Sequence, residues 1–227
     1  MNGSGFQPET FRFLEELAAN NTRDWFEAHK ADYQRFARDP ADELRGRLAE
    51  TLSRLCGHDL TSKQFRINRD LRFTRDKTPY NTHVRMAFWP QDTAFQGKDA
   101  QPPSFFLSVE ADHVRIGAGC MRFSKPVLGS FLQTLETDNG EDIGDLIAHM
   151  TAAGFEMSAP DLAKVPRGFP AGHPRSGLAR HKGLAVWRDV SDIGSLQGAN
   201  GHEAIARLFE PALPFWRWLM TLHAHRT

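Results

Sequence analysis

The feature that most constrains this chain is a change of period. Up to Gly57 apolar residues recur every three or four positions, and in the apolar segments between Phe65 and Cys120 they recur at every second one. The first spacing builds helix faces and the second builds strand faces. Residues 8–19 place Phe11, Leu14, Leu17 and Ala18 on one helical stripe, and Asn20-Asn21 suits its end. Thr22 is placed to cap a second helix, along which Trp25, Phe26, His29, Tyr33 and Phe36 repeat. His29, on that aromatic face, is expected to be a hydrogen-bonded core histidine. Asp39-Pro40 predicts a third helix start, an N-cap followed by proline, and Leu44, Leu48, Leu52 and Leu55 then form a stripe ending near Gly57.

Alternation takes over in the middle of the chain. Phe65 and Ile67 begin it, Asp76-Lys77-Thr78-Pro79 interrupts it as a loop, and Val84, Met86 and Phe88 resume it up to Pro90. Residues 91–103 read as a polar loop. Phe105, Leu107 and Val109, a turn at Ala111-Asp112, then Val114, Ile116, Ala118 and Cys120 predict a hairpin. Gly117 and Gly119 fall on its other face, where a second backbone or a ligand can come close. Ser124-Lys125-Pro126 opens a helix closed by Asp138-Asn139-Gly140, and Ile143 to Met150 mark another, closed by Gly154. Four prolines make residues 155–199 mostly loop, with strand near Phe155 and Ala185-Val186-Trp187 and a helical turn around 176–181. The tail from His202 to His225 reads as a helix broken at Pro211. The expected fold is a single α+β domain over residues 1–227, a mainly antiparallel sheet packed against amphipathic helices at both chain ends, with residues 1–7 flexible.

Charge and cysteine content exclude several classes of function. The 28 basic and 28 acidic residues balance, so a protein that coats nucleic acid by bulk charge is not expected. Cys56 and Cys120 are too few for a disulfide framework and read as buried thiols of a reducing cytoplasm. No apolar run approaches a membrane span, and the first residues lack the pattern of a signal peptide. Phosphate-loop, dinucleotide-binding and nucleophile-elbow motifs are absent, and no cysteine or histidine spacing matches a metal site, so no metal is assigned.

One stretch breaks the charge balance. Between Lys63 and Arg85 there are seven Lys/Arg against two Asp. Arginine's planar fork of donors suits bidentate contact with phosphate or carboxylate. If 65–73 is an unbroken strand, Arg66, Asn68, Asp70 and Arg72 share one face; if it coils into a helical turn, Arg66, Arg69 and Arg72 align. Arg66, Arg69, Arg72 and Lys77 are the candidate anion ligands, with Arg122 a further one. Asp70 or Asp76 would orient an arginine or act as a base, and Tyr80 would donate a hydrogen bond; these three are the catalytic candidates if there is a reaction at all.

Arg66-x-x-Arg69-Asp70-x-Arg72-Phe73-x-x-Asp76-Lys77-x-Pro79-Tyr80 resembles the signature of the bacterial conserved hypothetical proteins called domain of unknown function 2461. Phe13-Leu14-x-x-Leu17-x-x-Asn20-Asn21-x-x-x-Trp25-Phe26-x-x-x-Lys30-x-x-Tyr33 is similar to that family's opening pattern. Gly117-x-Gly119 and Pro166-Arg167-Gly168-Phe169 resemble its later landmarks. Asn81 departs from the pattern, standing where a basic residue is expected. The resemblance implies a single-domain bacterial protein and brings no activity or cofactor. The favoured reading is a pocket protein for a phosphorylated or carboxylated small molecule. The alternatives are a nucleic-acid-binding module, with Phe73, Tyr80, Trp89 and Phe95 as stacking surfaces, and a scaffold or partner-binding protein whose Arg-Asp network is purely structural.

Overall fold

The computed structural model of the chain describes residues 6–72, 74–95, 100–137 and 139–224, the side chains of 139–141 and 224 excepted. Residues 1–5 of the expected flexible start, Phe73, Asp138, the 96–99 part of the polar loop and His225 lie outside the described residues. The architecture is α+β, as the change of period predicts. Six strands, β1 (Leu60–Gln64), β2 (Val84–Pro90), β3 (Ser104–Val109), β4 (Val114–Cys120), β5 (Glu156–Met157) and β6 (Leu184–Val190), form an antiparallel sheet in the order β1-β2-β3-β4-β6-β5. β3 and β4 are the expected hairpin, and β5 pairs with β6 through Glu156 opposite Trp187 and Met157 opposite Val186.

The helices begin and end where local chemistry dictates. α1 (Pro8–Ala19) has proline in its first turn. The Trp25 amide donates to the Thr22 hydroxyl at the start of α2 (Arg23–Ala28), at 3.3 Å. His29 closes that helix, its Nδ1 2.8 Å from the Trp25 carbonyl oxygen and its ring stacked on Trp25. Here the structure departs from the expected break before Asp39. After one helical turn, α3 (Lys30–Asp32), the backbone widens into a π-helix over Tyr33–Arg38 and runs directly into α4 (Asp39–Cys56). Arg38 already has helical dihedrals, so Asp39-Pro40 continues a helix instead of opening one. The Thr10 hydroxyl donates to the Phe36 carbonyl at 2.6 Å, tying α1 to the π segment. Gly57, at φ 79°, ends α4 in the left-handed conformation that glycine adopts without a Cβ clash.

The chain forms two compact units, each drawn from three segments. The first comprises Met1–Phe88, Phe106–Ile116 and Asp189–Leu208. Its core is the leucine stripe of α4, Leu44, Leu48 and Leu52, all at zero exposure, with Leu14 and Leu17 of α1 and Ile205 of α7 (Gly201–Leu208). Burying each such side chain contributes about 1.5–3 kcal/mol. At the end of β3, Ser108 donates to Glu110 at 2.6 Å and His83, just before β2, has Nδ1 3.5 Å from the other oxygen. Burial works against the Glu110 charge, yet the hydrogen bonds from His83 and Ser108, with the charges of His83 and Arg85, hold the carboxyl down at about 2. A lowered carboxyl stabilises the fold above its unfolded value and loses that contribution as pH falls toward its folded one. Glu110→Gln is therefore expected to cost on the order of 1 kcal/mol at pH 7. The gap to wild type should close as pH falls from about 4.5 to 2, which thermal melts across that range will show.

The second unit comprises Trp89–Phe105, Gly117–Arg188 and Phe209–Thr227. Aromatic packing holds it: Phe105 stacks on Trp216 at 5.1 Å and meets Phe209 edge-on at 5.4 Å. α5 (Lys125–Leu135) starts at the Ser124 cap, and its last turn is closed by Arg175, which donates to the Leu135 and Thr137 carbonyls. α6 (Asn139–Ala152) starts at Asn139, so Asn139-Gly140 opens this helix and does not lie in the preceding loop. α6 packs on α8 (Leu213–Ala224). Gly117 and Gly119 are the close-approach positions expected of them, under the Trp187 ring and the Leu184 carbonyl respectively. Cys56 and Cys120 are both buried and neither is in a disulfide. Burial pushes the Cys120 thiol up to about 12. Among the described residues no helix is long and apolar enough to cross a membrane.

Candidate functional site

The arginine stretch forms neither an unbroken strand nor a helical turn over residues 65–72. β1 stops at Gln64, and the chain continues extended but bent beside the segment that leads into β2. The Phe65 amide donates to the Arg85 carbonyl, the Asn81 amide to Ile67 and the Arg69 amide to Pro79, at 2.7–2.9 Å. Asn68 and Tyr80 form an antiparallel bridge between them. Residues 69–72 and 74–78 thus belong to a loop pinched at its base. Asn21, at the end of α1, locks that base from outside: its side chain accepts from the Tyr80 amide and donates to the Tyr80 carbonyl.

The loop closes on itself. Asp76 accepts from the Thr78 amide and hydroxyl and from Arg69 Nη1, the last at 2.5 Å. Arg69 also donates to the Thr78 hydroxyl and carbonyl. Arg72 forks onto Asp70 with bonds of 2.9 and 2.6 Å, and Lys77 donates to the Leu71 carbonyl at 3.0 Å. The Thr78 amide, then Arg69 and the Thr78 hydroxyl, hold the Asp76 carboxyl at about 2. The Arg72 guanidinium holds Asp70 well below the usual carboxylate range. Carboxylates this weakly basic suit orienting an arginine better than abstracting a proton. The Arg72 side chain is 76% exposed, and an exposed pair contributes little. Arg72→Ala is therefore expected to change stability by less than about 1 kcal/mol in a thermal melt. A sharp drop would favour the purely structural network.

Of the candidate cations, Arg66 lines a groove that Arg69, Arg72, Lys77 and Arg122 do not. A groove of about 680 Å³ is walled on one side by the consecutive residues Ser62 to Asn68 and on the other by Phe26 to Arg45 of the helical layer, with Tyr80 at its base. Lys30, Arg38, Arg45, Lys63 and Arg66 reach it, against the carboxylates of Glu27 and Asp42. Arg45 is tied to Asp42 and to the Ser62 hydroxyl, and Lys30 to Glu27. Arg38, Lys63 and Arg66 have no ion-pair partner among the described residues. Tyr33, Gln34 and Arg38 enter the groove from the π-helix. Such widened turns are frequent at functional sites, because the extra residue re-aims the side chains that follow. Burial raises the Tyr33 phenol above its usual value, with Arg38 opposing, so Tyr33 is a neutral hydrogen-bond donor. The Tyr80 ring is buried and stacked on Phe26 at 3.9 Å, and its hydroxyl has no hydrogen bond among the described residues.

A family model described as conserved hypothetical protein (DUF2461) matches residues 9–218. The chain belongs to this family. No curated protein matches it. In this DUF2461 protein the sequence cluster divides: Arg66 joins the groove, while Arg69, Arg72 and Lys77 belong to the self-closed loop. Arg122 lies in the second unit, 3.9 Å from Asp161. Asn81 holds backbone, its amide on Ile67 and its side chain 3.4 Å from the Arg66 carbonyl. Trp89 and Phe95 pack against each other, and one face of Tyr80 is taken by Phe26, which reduces the surfaces offered to bases. Among the described residues no three His, Cys, Asp or Glu side chains converge as a metal site. Sequence reasoning missed Lys30, Gln34, Arg38 and Lys63. The visible signal was the spacing of Glu27, Lys30, Gln34, Arg38, Asp42 and Arg45, a polar stripe along the helices, which reads as a solvated face.

Proposed function

We propose that the groove of the first unit binds a phosphorylated or carboxylated small molecule. The observation that carries this reading is that Arg38, Lys63 and Arg66 line one cavity and none of them is within ion-pair distance of a carboxylate among the described residues, Arg66 acting on Asp70 only at longer range. Guanidinium and ammonium groups held together would repel unless an anion or counterions stand between them, and charge-assisted hydrogen bonds to phosphate or carboxylate are the strong ones. Tyr33 and Tyr80 add donors for an oxyanion, and the cavity volume is within the usual range for small-molecule sites. A cytoplasmic setting fits two buried thiols outside any disulfide.

The test is a thermal-shift series with inorganic phosphate, citrate and single- and double-stranded oligonucleotides at low and high salt. A site filled to a hundred times its dissociation constant stabilises by about 2.7 kcal/mol, a shift of roughly 5–10 °C for a chain this size. Stabilisation by phosphate or citrate that fades with salt supports the reading. A response to oligonucleotides alone would favour the nucleic-acid alternative, and no response to any of them at low salt removes the anion site.

A further inference from the structure

The wall formed by Ser62 to Asn68 is continuous, and that continuity says what lies along it. Successive side chains of an extended chain point to opposite faces. A groove lying on one face of the sheet would therefore meet every second residue. This groove meets Ser62, Lys63, Gln64, Phe65, Arg66, Ile67 and Asn68 in turn, so it follows the edge of the chain itself. β1 is the outermost strand of the sheet, with β2 on one side only. The Phe65 amide points to β2, where it meets the Arg85 carbonyl, and Ile67 and Arg69 pair toward the Pro79–Asn81 segment. By the alternation of an antiparallel ladder, Ser62, Gln64, Arg66 and Asn68 turn their backbone groups the other way. Of these, the Arg66 carbonyl is met by Asn81 at 3.4 Å.

We infer that the carboxylates bound in the groove are carried on an extended acidic peptide, which adds to β1 as a further strand. The inference rests on the anion-binding reading above and narrows it from small anions to a peptide. Main-chain hydrogen bonds to the edge supply affinity in strand addition, and alternate side chains supply specificity. Glutamate or aspartate at alternate positions would share one face of the added strand, where it would meet Arg66 on one wall and Arg38 on the other.

The probe is a fluorescein-labelled hexapeptide alternating glutamate and valine, followed by anisotropy. A second peptide has alternate amides N-methylated, and unlabelled citrate serves as competitor. Binding should weaken with salt, fall at least tenfold on N-methylation, and slow amide exchange at Gln64, Arg66 and Asn68, which citrate alone should leave fast. If the N-methylated peptide binds equally well, or citrate binds more tightly than the peptide, strand addition is wrong while the anion site stands. If neither peptide nor citrate binds, both readings fall.

Discussion

Gly119→Ala is expected to lower stability by about 3 kcal/mol or more, and the melting temperature by roughly 6–12 °C. Gly119 sits near the end of β4 at φ 142°, where a side chain is strained before any contact is considered. A Cβ there would lie 2.2 Å from the Leu184 carbonyl oxygen and 2.6 Å from the Ala185 Cα. Both are backbone atoms of β6, so no rotamer change relieves the clash and the strands themselves must part. Gly117→Ala is a graded comparison. Its Cβ would meet the Trp187 ring at 2.4 Å, a side chain that can tilt at the expense of its 2.9 Å bond to Ser158. A loss of about 1–3 kcal/mol is expected there. Gly46→Ala is the opposite control: it lies mid-helix in α4 and a Cβ meets nothing within 4 Å, so a gain of about 0.5–1 kcal/mol is expected. Calorimetric melts of the three variants would give that order. A Gly119→Ala protein melting within 2 °C of wild type would contradict the close approach of β4 and β6.

The same residues show how far sequence carries. Leu44, Leu48 and Leu52 announced a buried helix face because leucine at that spacing has one low-energy use, and all three are fully buried. The hairpin was legible for the corresponding reason at period two. β1 was not: Leu-Thr-Ser-Lys-Gln carries one large apolar residue, because an edge strand along a polar groove has no continuous apolar face to bury. The π-helix was hidden because its extra residue changes the backbone without changing the apolar spacing of Tyr33 and Phe36. The division of the arginines was hidden most deeply. Asp70 or Asp76 stands within four residues of each of Arg66, Arg69, Arg72, Arg75 and Lys77. Which pairs form is decided by the bend of the loop, where Thr78 brings Asp76 to Arg69 and leaves Arg66 facing the helices.

That division makes the sharpest prediction for binding. If the groove is the anion site, Arg66→Glu should weaken citrate or phosphate binding by about 30–100-fold, since it removes a charge-assisted contact and sets a carboxylate in its place. The side chain is exposed and has no ion-pair partner among the described residues, so the melting temperature without ligand should move by less than about 2 °C. Arg72→Gln, on the exposed loop beyond the groove lining, should change binding less than about threefold, in proportion to the small weight of a screened, solvent-exposed charge. Titration calorimetry of the two variants at one salt concentration separates the readings. Loss on Arg66→Glu with Arg72→Gln intact locates binding in the groove. The reverse would return the site to the loop, and the two loop ion pairs would then have to open when ligand arrives, as the structural-network alternative forbids.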